Sequence, residues 1–465
     1  MCRALVRRGL VVAPFKSQNM SNNSMVCSDG SEIGRAQYLQ ALAARIEPDS
    51  SMNPVLLKPG SDRRSHVVLR GRPFGELRAG EYATGRRHLA EAAFAAYDEL
   101  AERVDMIICE GAGSPAEINL RAGDYVNLGL AQRFRLPVMV VGDIDRGGVL
   151  AALFGTVGLL APEDRQLIKS FVINKFRGDQ SVLDPGLVDL TERTGVPFHG
   201  VLPWLDGVWL DGEDALEVGR WRSGTPTTEH ALRVAVIRFP RISNATDVDA
   251  LAAEPGVEVV VTTHPDVVAG ADLVVLPGTR STVSDLAWLR STGLAEALVA
   301  RARRAAPVLG ICGGFQMLAA EIMDSVESRS GAVSGLGLLP TRVEFGEEKH
   351  LGRPSAAWRG FEVRGYEIHH GVASLQPGTV DAEPFLDGWR DGQVWGTMWH
   401  GTLENDDFRR AWLAEVARGS GSSWSEQPGA PGFADRRETM ISTMADAIER
   451  HLDLDGLLAL AKAGV

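Results

Sequence analysis

PVLGICGGFQMLAAEI, residues 307–322, decides the fold of the second half of the chain. PVLG is a short apolar run that reads as a buried strand, and FQMLAAEIM reads as a helix with Phe315, Leu318, Ala319 and Ile322 on one face. Cys312 then falls on a strand-to-helix elbow among Gly310, Gly313 and Gly314, a G-x-C-x-G pattern. Small neighbours permit the tight turn. The helix N-terminus favours a thiolate, and its free N–H groups can hold an oxyanion. A lone cysteine is more often a buried structural residue, but the elbow makes a nucleophile the better reading.

Working outward, LRVAVIRFP (232–240), VEVVVTT (257–263) and DLVVLPG (272–278) are further apolar runs bounded by turn residues. An earlier set occupies the first half: LVVAPF (10–15), VDMIIC (104–109), PVMVVGDID (137–145) and SFVINKF (170–176). Ala-rich helical segments such as RRHLAEAAFAAYDELAERV (86–104) lie between them. Alternation of buried strands and helices predicts an α/β protein with two doubly wound, mostly parallel-sheet domains. The polar stretch WRSGTPTTEH (221–230) reads as their linker, giving domains at 1–222 and 231–411. GSGSSWSEQPGAPGFAD (419–435) reads as a flexible loop before a C-terminal helix over 436–465.

The composition narrows the function. The 465 residues are 45% hydrophobic and 23% charged, ordinary for a globular protein, with a net charge of −12 that argues against a nucleic-acid partner. No apolar run approaches the length of a membrane span. The four cysteines have neither disulfide nor metal spacing, which fits a reducing cytoplasm.

A nucleophilic thiol needs a base. His400 in QVWGTMWHGTLEN follows an apolar strand and is the first candidate, with His369 and His370 in GYEIHHG as rivals. The first half offers polar loops at strand ends. APFKSQNMSNNSMV (13–26) carries Lys16 and Asn19, and MNPVLLKPGSDRRSHVV (52–68) carries Lys58, Asp62, Arg63 and Arg64. ICEGAGSPAEINL (108–120) carries Glu110, suited to holding Mg²⁺ against phosphates, and VVGDIDRGG (140–148) carries Asp143.

GICGGFQML, LPGTRSTVSDLAWLR, GYEIHHG and GTMWHG together resemble a class I glutamine amidotransferase domain of the cobalamin-biosynthesis type, with a flavodoxin-like fold. The resemblance implies that Cys312 attacks the glutamine side-chain amide, that His400 is its base, and that Gly278 and Gly313 supply oxyanion-hole N–H groups. Many members of the wider class carry an acidic residue two positions after the histidine. Here that position is Thr402, so Cys312 and His400 are expected to act as a pair, with Glu404 or Glu367 as possible helpers.

QNMSNNS, MNPVLLKPGSDRRS, EGAGSPAEINL and VINKFRGD resemble the cobyric acid synthase family over nearly the whole chain. That resemblance implies a dethiobiotin-synthetase-like first domain of P-loop NTPase fold, using ATP and Mg²⁺. It implies Glu110 as the Mg²⁺ ligand, Asn174 and Lys175 near the nucleotide base, and Lys16 and Asn19 on phosphate or substrate carboxylates. Lys58, Arg63 and Arg64 are expected to help bind a polycarboxylate corrinoid. The implied reaction amidates the b, d, e and g carboxylates of adenosylcobyrinic acid a,c-diamide.

Family members begin with a strand and a G-T-x-S-x-A-G-K-S loop. No G-x-x-x-x-G-K-[ST] occurs here, and Met1–Arg8 already reads as a helix, so the chain is expected to enter its first domain just after that loop. A start placed downstream of the natural one is the preferred explanation. The alternative function is an impaired synthetase that keeps glutaminase activity or only binds corrinoid. An earlier a,c-diamidation is a third reading.

Overall fold

The computed structural model describes residues 1–61, 64–78, 85–208, 231–379 and 381–464. The expected linker at 221–230, and Asp62 and Arg63, lie outside them.

Every apolar run singled out above forms a strand. In the second domain five parallel strands and two antiparallel ones make a seven-stranded sheet. Its parallel members, in spatial order, are Val257–Thr262, Leu232–Ile237, Leu273–Leu276, Val308–Ile311 and Val394–Thr397. Alternate residues feed two cores: Ala235, Ile237, Val274, Leu276 and Val308 on one face, Val234, Val236, Val275, Leu309 and Ile311 on the other. Burial on both faces explains why the central strands Leu273–Leu276 and Val308–Ile311 are continuously apolar instead of alternating.

One expectation fails at the elbow. The helix there is only Gly313–Leu318, and Glu321–Asp324 is a strand pairing with Gly331–Ser334 and Thr341–Gly352. Ile322 is buried by that second, four-stranded sheet and not by a helical face. A short apolar run satisfies either element, and the two available strand partners decide it.

The first domain has parallel pairs Val12–Phe15 with Met106–Cys109, and a three-stranded parallel sheet of Phe198–Pro203, Ile168–Phe176 and Val138–Asp143. A four-stranded sheet from Gln18–Met20 through Arg72–Arg78 lies beside them. The opening helix is Cys2–Arg7, and Gly9 takes φ 85° to turn the chain into the first strand.

The C-terminal segment is two helices, Phe433–His451 and Leu454–Ala463, and both return to the first domain. Ala445, Leu452 and Leu454 share a core with Ala4 and Val172, and Glu438 pairs with the buried Arg3. The loop before them is pinned, because Trp424 is buried and its indole N–H donates to the Pro255 carbonyl at 3.0 Å. Among the described residues no helix is long and apolar enough to cross a membrane.

Candidate active site

Cys312 holds φ 49° and ψ −111° between strand Val308–Ile311 and the elbow helix, a positive φ that a residue with a Cβ adopts only under constraint. The constraint is visible in the glycines. A Cβ on Gly314 would collide with the Leu276 carbonyl, and one on Gly310 with the Phe315 backbone, so the helix lies directly against the sheet. The Cys312 N–H donates to the Thr397 carbonyl at 2.8 Å, fastening the elbow to the strand that leads to His400.

His400 exchanges backbone hydrogen bonds of 2.8 and 3.0 Å with Tyr366 and stacks on its ring at 5.3 Å. Its Nδ1 lies 2.6 Å from Asp247 Oδ2, with the two side chains 1% and 2% exposed. Asp247 Oδ1 also accepts the Gly401 N–H at 2.8 Å. Burial would push the imidazole down, but the charges of Asp247 and Cys312 outweigh it and raise His400 to about 10. These neighbours favour the charged form of the ring, which has a carboxylate on its far nitrogen.

Gly278 and Gly313 flank this pair. A Cβ on Gly278 would press on His400 Cε1 and the Ser243 carbonyl, and one on Gly313 would press on Thr279. The Gly278 carbonyl is held by the Ser243 N–H at 2.9 Å.

Neither acidic residue considered from sequence serves His400. Glu404 is half-buried between Arg35 and Arg437, at 2.6 and 3.0 Å. Glu367 faces His369 at 3.5 Å. The orienting carboxylate is Asp247, on the 3₁₀ turn Ala245–Val248 after strand Leu232–Ile237. The rival histidines have other partners: His369 stacks on His350 at 5.2 Å, and His370 Nδ1 meets the Gly346 carbonyl at 3.2 Å.

In the first domain the strand ends bring two pairs together. Lys16 and Glu110 follow the paired residues Phe15 and Cys109, and their side chains meet at 2.8 Å. Asp143 and Asn174 are partners in register, and Lys175 reaches Asp143 at 2.7 Å, holding that carboxyl below its usual range. Two other expected binding residues already have partners within the protein. Lys58 is buried, donating to Glu32 and to Ser24 Oγ (2.8 Å), so its charge is neutralised within the protein. Asn19 is buried as well, its amide donating to Gln37 Oε1 at 2.8 Å. Both side chains are held by these protein partners.

A CobB/CobQ-like glutamine amidotransferase domain matches residues 233–408, and a CobQ/CobB/MinD/ParA nucleotide binding domain matches residues 1–217. A cobyric acid synthase of Cutibacterium acnes is 63% identical over 467 residues, covering 99% of this chain and 96% of its own. This chain belongs to the cobyric acid synthase family. The cobyric acid synthase of Mycolicibacterium gilvum is 57% identical, covering 100% of this chain and 93% of its own. A solved glutamine amidotransferase structure aligns with 40% of this chain and 98% of its own at 19% identity, with a TM-score of 0.34.

As a cobyric acid synthase family member the chain is an enzyme, a glutamine-dependent ligase of cobalamin biosynthesis that uses ATP. The reading as a non-catalytic remnant is not favoured. Mg²⁺ is compatible with the residues present. Among the described residues no three His, Cys, Asp or Glu side chains cluster to hold a metal alone. Mg²⁺ commonly takes one or two carboxylates and completes its shell with water and phosphate oxygens. Glu110, at a strand end with its carboxylate 39% exposed, suits that role.

Proposed function

We propose that this chain amidates the b, d, e and g side-chain carboxylates of adenosylcobyrinic acid a,c-diamide in the cytoplasm, with nitrogen from glutamine and activation by ATP and Mg²⁺. Hydrolysis of glutamine is assigned to residues 231–411 and amide formation to residues 1–222, with the helices Phe433–His451 and Leu454–Ala463 closing the latter. The observation that carries the reading is the buried His400–Asp247 pair beside Cys312 on its elbow.

The Cys312 thiolate attacks the side-chain carbonyl of glutamine. N–H groups of Gly278 and Gly313 stabilise the oxyanion, and the His400 imidazolium passes its proton to the departing ammonia. A glutamyl thioester remains. Water then attacks it with the now neutral His400 as base, releasing glutamate and restoring the ion pair. Ammonia alone does not displace oxide from a carboxylate, so the acceptor is first phosphorylated by ATP and ammonia displaces the phosphate. Glu110 would hold Mg²⁺, which neutralises charge on the transferring phosphoryl group. Lys16 neutralises charge beside it, and Asp143, Asn174 and Lys175 face the nucleotide.

The test incubates the purified chain with adenosylcobyrinic acid a,c-diamide, ATP, Mg²⁺ and either glutamine or ammonia, with products read by mass spectrometry. Four successive amidations from either nitrogen source are expected. No product from either source while glutamine is still hydrolysed would overturn the ligase assignment. Absence of glutamine hydrolysis would overturn the site assignment.

A further inference from the structure

QNMSNNS reads from the sequence as a ligand-binding loop, yet its last residues are buried against the other domain. The Ser24 N–H donates to Asn244 Oδ1 at 2.9 Å, and Asn23 Oδ1 accepts the Ala245 N–H at 3.3 Å. Asn244 sits at φ 49° and caps the turn Ala245–Val248, its carbonyl accepting the Asp247 N–H at 3.1 Å. Ser24 is itself anchored. Its hydroxyl donates to Glu32 Oε1 and accepts from Lys58, both at 2.8 Å, while Glu32 Oε2 takes Lys349 of the second domain at 2.6 Å. A chain of buried hydrogen bonds thus runs from Lys58 through Ser24, Asn244 and Asp247 to His400.

We propose that Asn23 and Ser24 of the first domain are positioning residues for glutamine hydrolysis, clamping Asn244–Ala245 so that the Asp247 carboxylate is held against His400. The proposal rests on the reading that Cys312 and His400 hydrolyse glutamine. A four-residue 3₁₀ turn has little means of fixing its own orientation. An orienting carboxylate must be held to within roughly half an ångström, and a misplacement of about 1 Å costs on the order of 10²-fold. The clamp supplies that restraint from outside the domain that uses it. A shift of the NNS segment would then reach the thiol without touching glutamine.

The test uses the full chain and four variants: Asn23→Ala, Asn244→Gly, their double, and Lys349→Gln. Glycine at 244 keeps the left-handed backbone while removing the side-chain link. Lys349→Gln loosens the same interface without touching the turn. The groups facing His400 are Asp247, Cys312 and the phenol of Tyr366, so its protonation reports on the turn. For the first three variants we expect kcat for glutamine to fall about 10-fold with KM within about 2-fold, and the alkaline limb of the pH–rate profile to move to lower pH. The double should cost less than the sum of the singles, because both act on one turn. Lys349→Gln reaches the turn only through Glu32 and Ser24, so it should lower Tm and move the profile less than the other three variants do.

Unchanged kcat and profile in folded Asn23→Ala and Asn244→Gly would overturn the clamp. So would a fall in kcat, KM and Tm together with an unmoved profile, or an equal shift in Lys349→Gln. Should Asn244→Gly not fold, Asn23→Ala decides by the same readouts. No glutamine hydrolysis by the unaltered chain would overturn the underlying site assignment, and the clamp with it.

Discussion

Asp247 and His400 are 153 residues apart in the chain and 2.6 Å apart in the fold. Replacing Asp247 by Asn leaves burial as the dominant influence on the imidazole, so the His400 pKa falls from about 10. Less imidazolium then stands beside the thiol at pH 7–9. The expected outcome is a loss on the order of 10² in kcat/KM for glutamine, with the alkaline limb moved to lower pH, read from a pH–rate profile. Stability follows the same sign. A raised histidine pKa stabilises the fold fully below its unfolded value near 6.5, and the gain is lost as pH rises towards about 10. Asp247→Asn should therefore flatten the decline of Tm over that window. Cys312→Ala should abolish glutamine hydrolysis while leaving amidation from free ammonia, assayed in parallel. Cys312 was legible because the glycines around it signal an elbow, and His400 because it follows a strand in a motif. Asp247 was not. It is one carboxylate among several in ATDVDALAAEP, and only the tertiary fold shows which of them meets the ring.

At the scale of the element, the elbow helix illustrates how close packing substitutes for length. Six residues lie on the sheet with no room for a Cβ at Gly314. Gly314→Ala is expected to cost about 3 kcal/mol by urea unfolding, because the blocking atom is backbone and cannot swing away. Gly346→Ala, with open space around the added methyl, should stay within about 0.5 kcal/mol. The central parallel strands were readable from their continuous apolar runs, since burial on both faces leaves no polar alternation to confuse them. The run 319–324 was not. Helix and strand patterns coincide over so short a stretch, and the partners that chose the strand, Gly331–Ser334 and Thr341–Gly352, lie further along the chain.

At the scale of the whole molecule, three separated parts of the chain converge on one carboxylate. Glu404 of the second domain lies between Arg35 of the first and Arg437 of the C-terminal helix, at 2.6 and 3.0 Å, and these two arginines hold its carboxyl below the usual range. Glu404→Gln leaves two buried guanidinium groups without their counter-charge and should cost about 3–5 kcal/mol in chemical denaturation. Because the Glu404 pKa is lowered, its contribution is present above the ordinary glutamate range and disappears as pH falls through it. None of this was visible in sequence, where the arginines are unremarkable surface candidates and the final segment reads as a single appended helix. Its return to the first domain has a consequence for biosynthesis. Ala4 and Val172 emerge from the ribosome before the second domain, but their apolar cover, Ala445, Leu452 and Leu454, is made after it. The first domain is thus finished only after the second has been made, and the nascent chain must carry an uncovered apolar seam through the synthesis of the entire glutaminase.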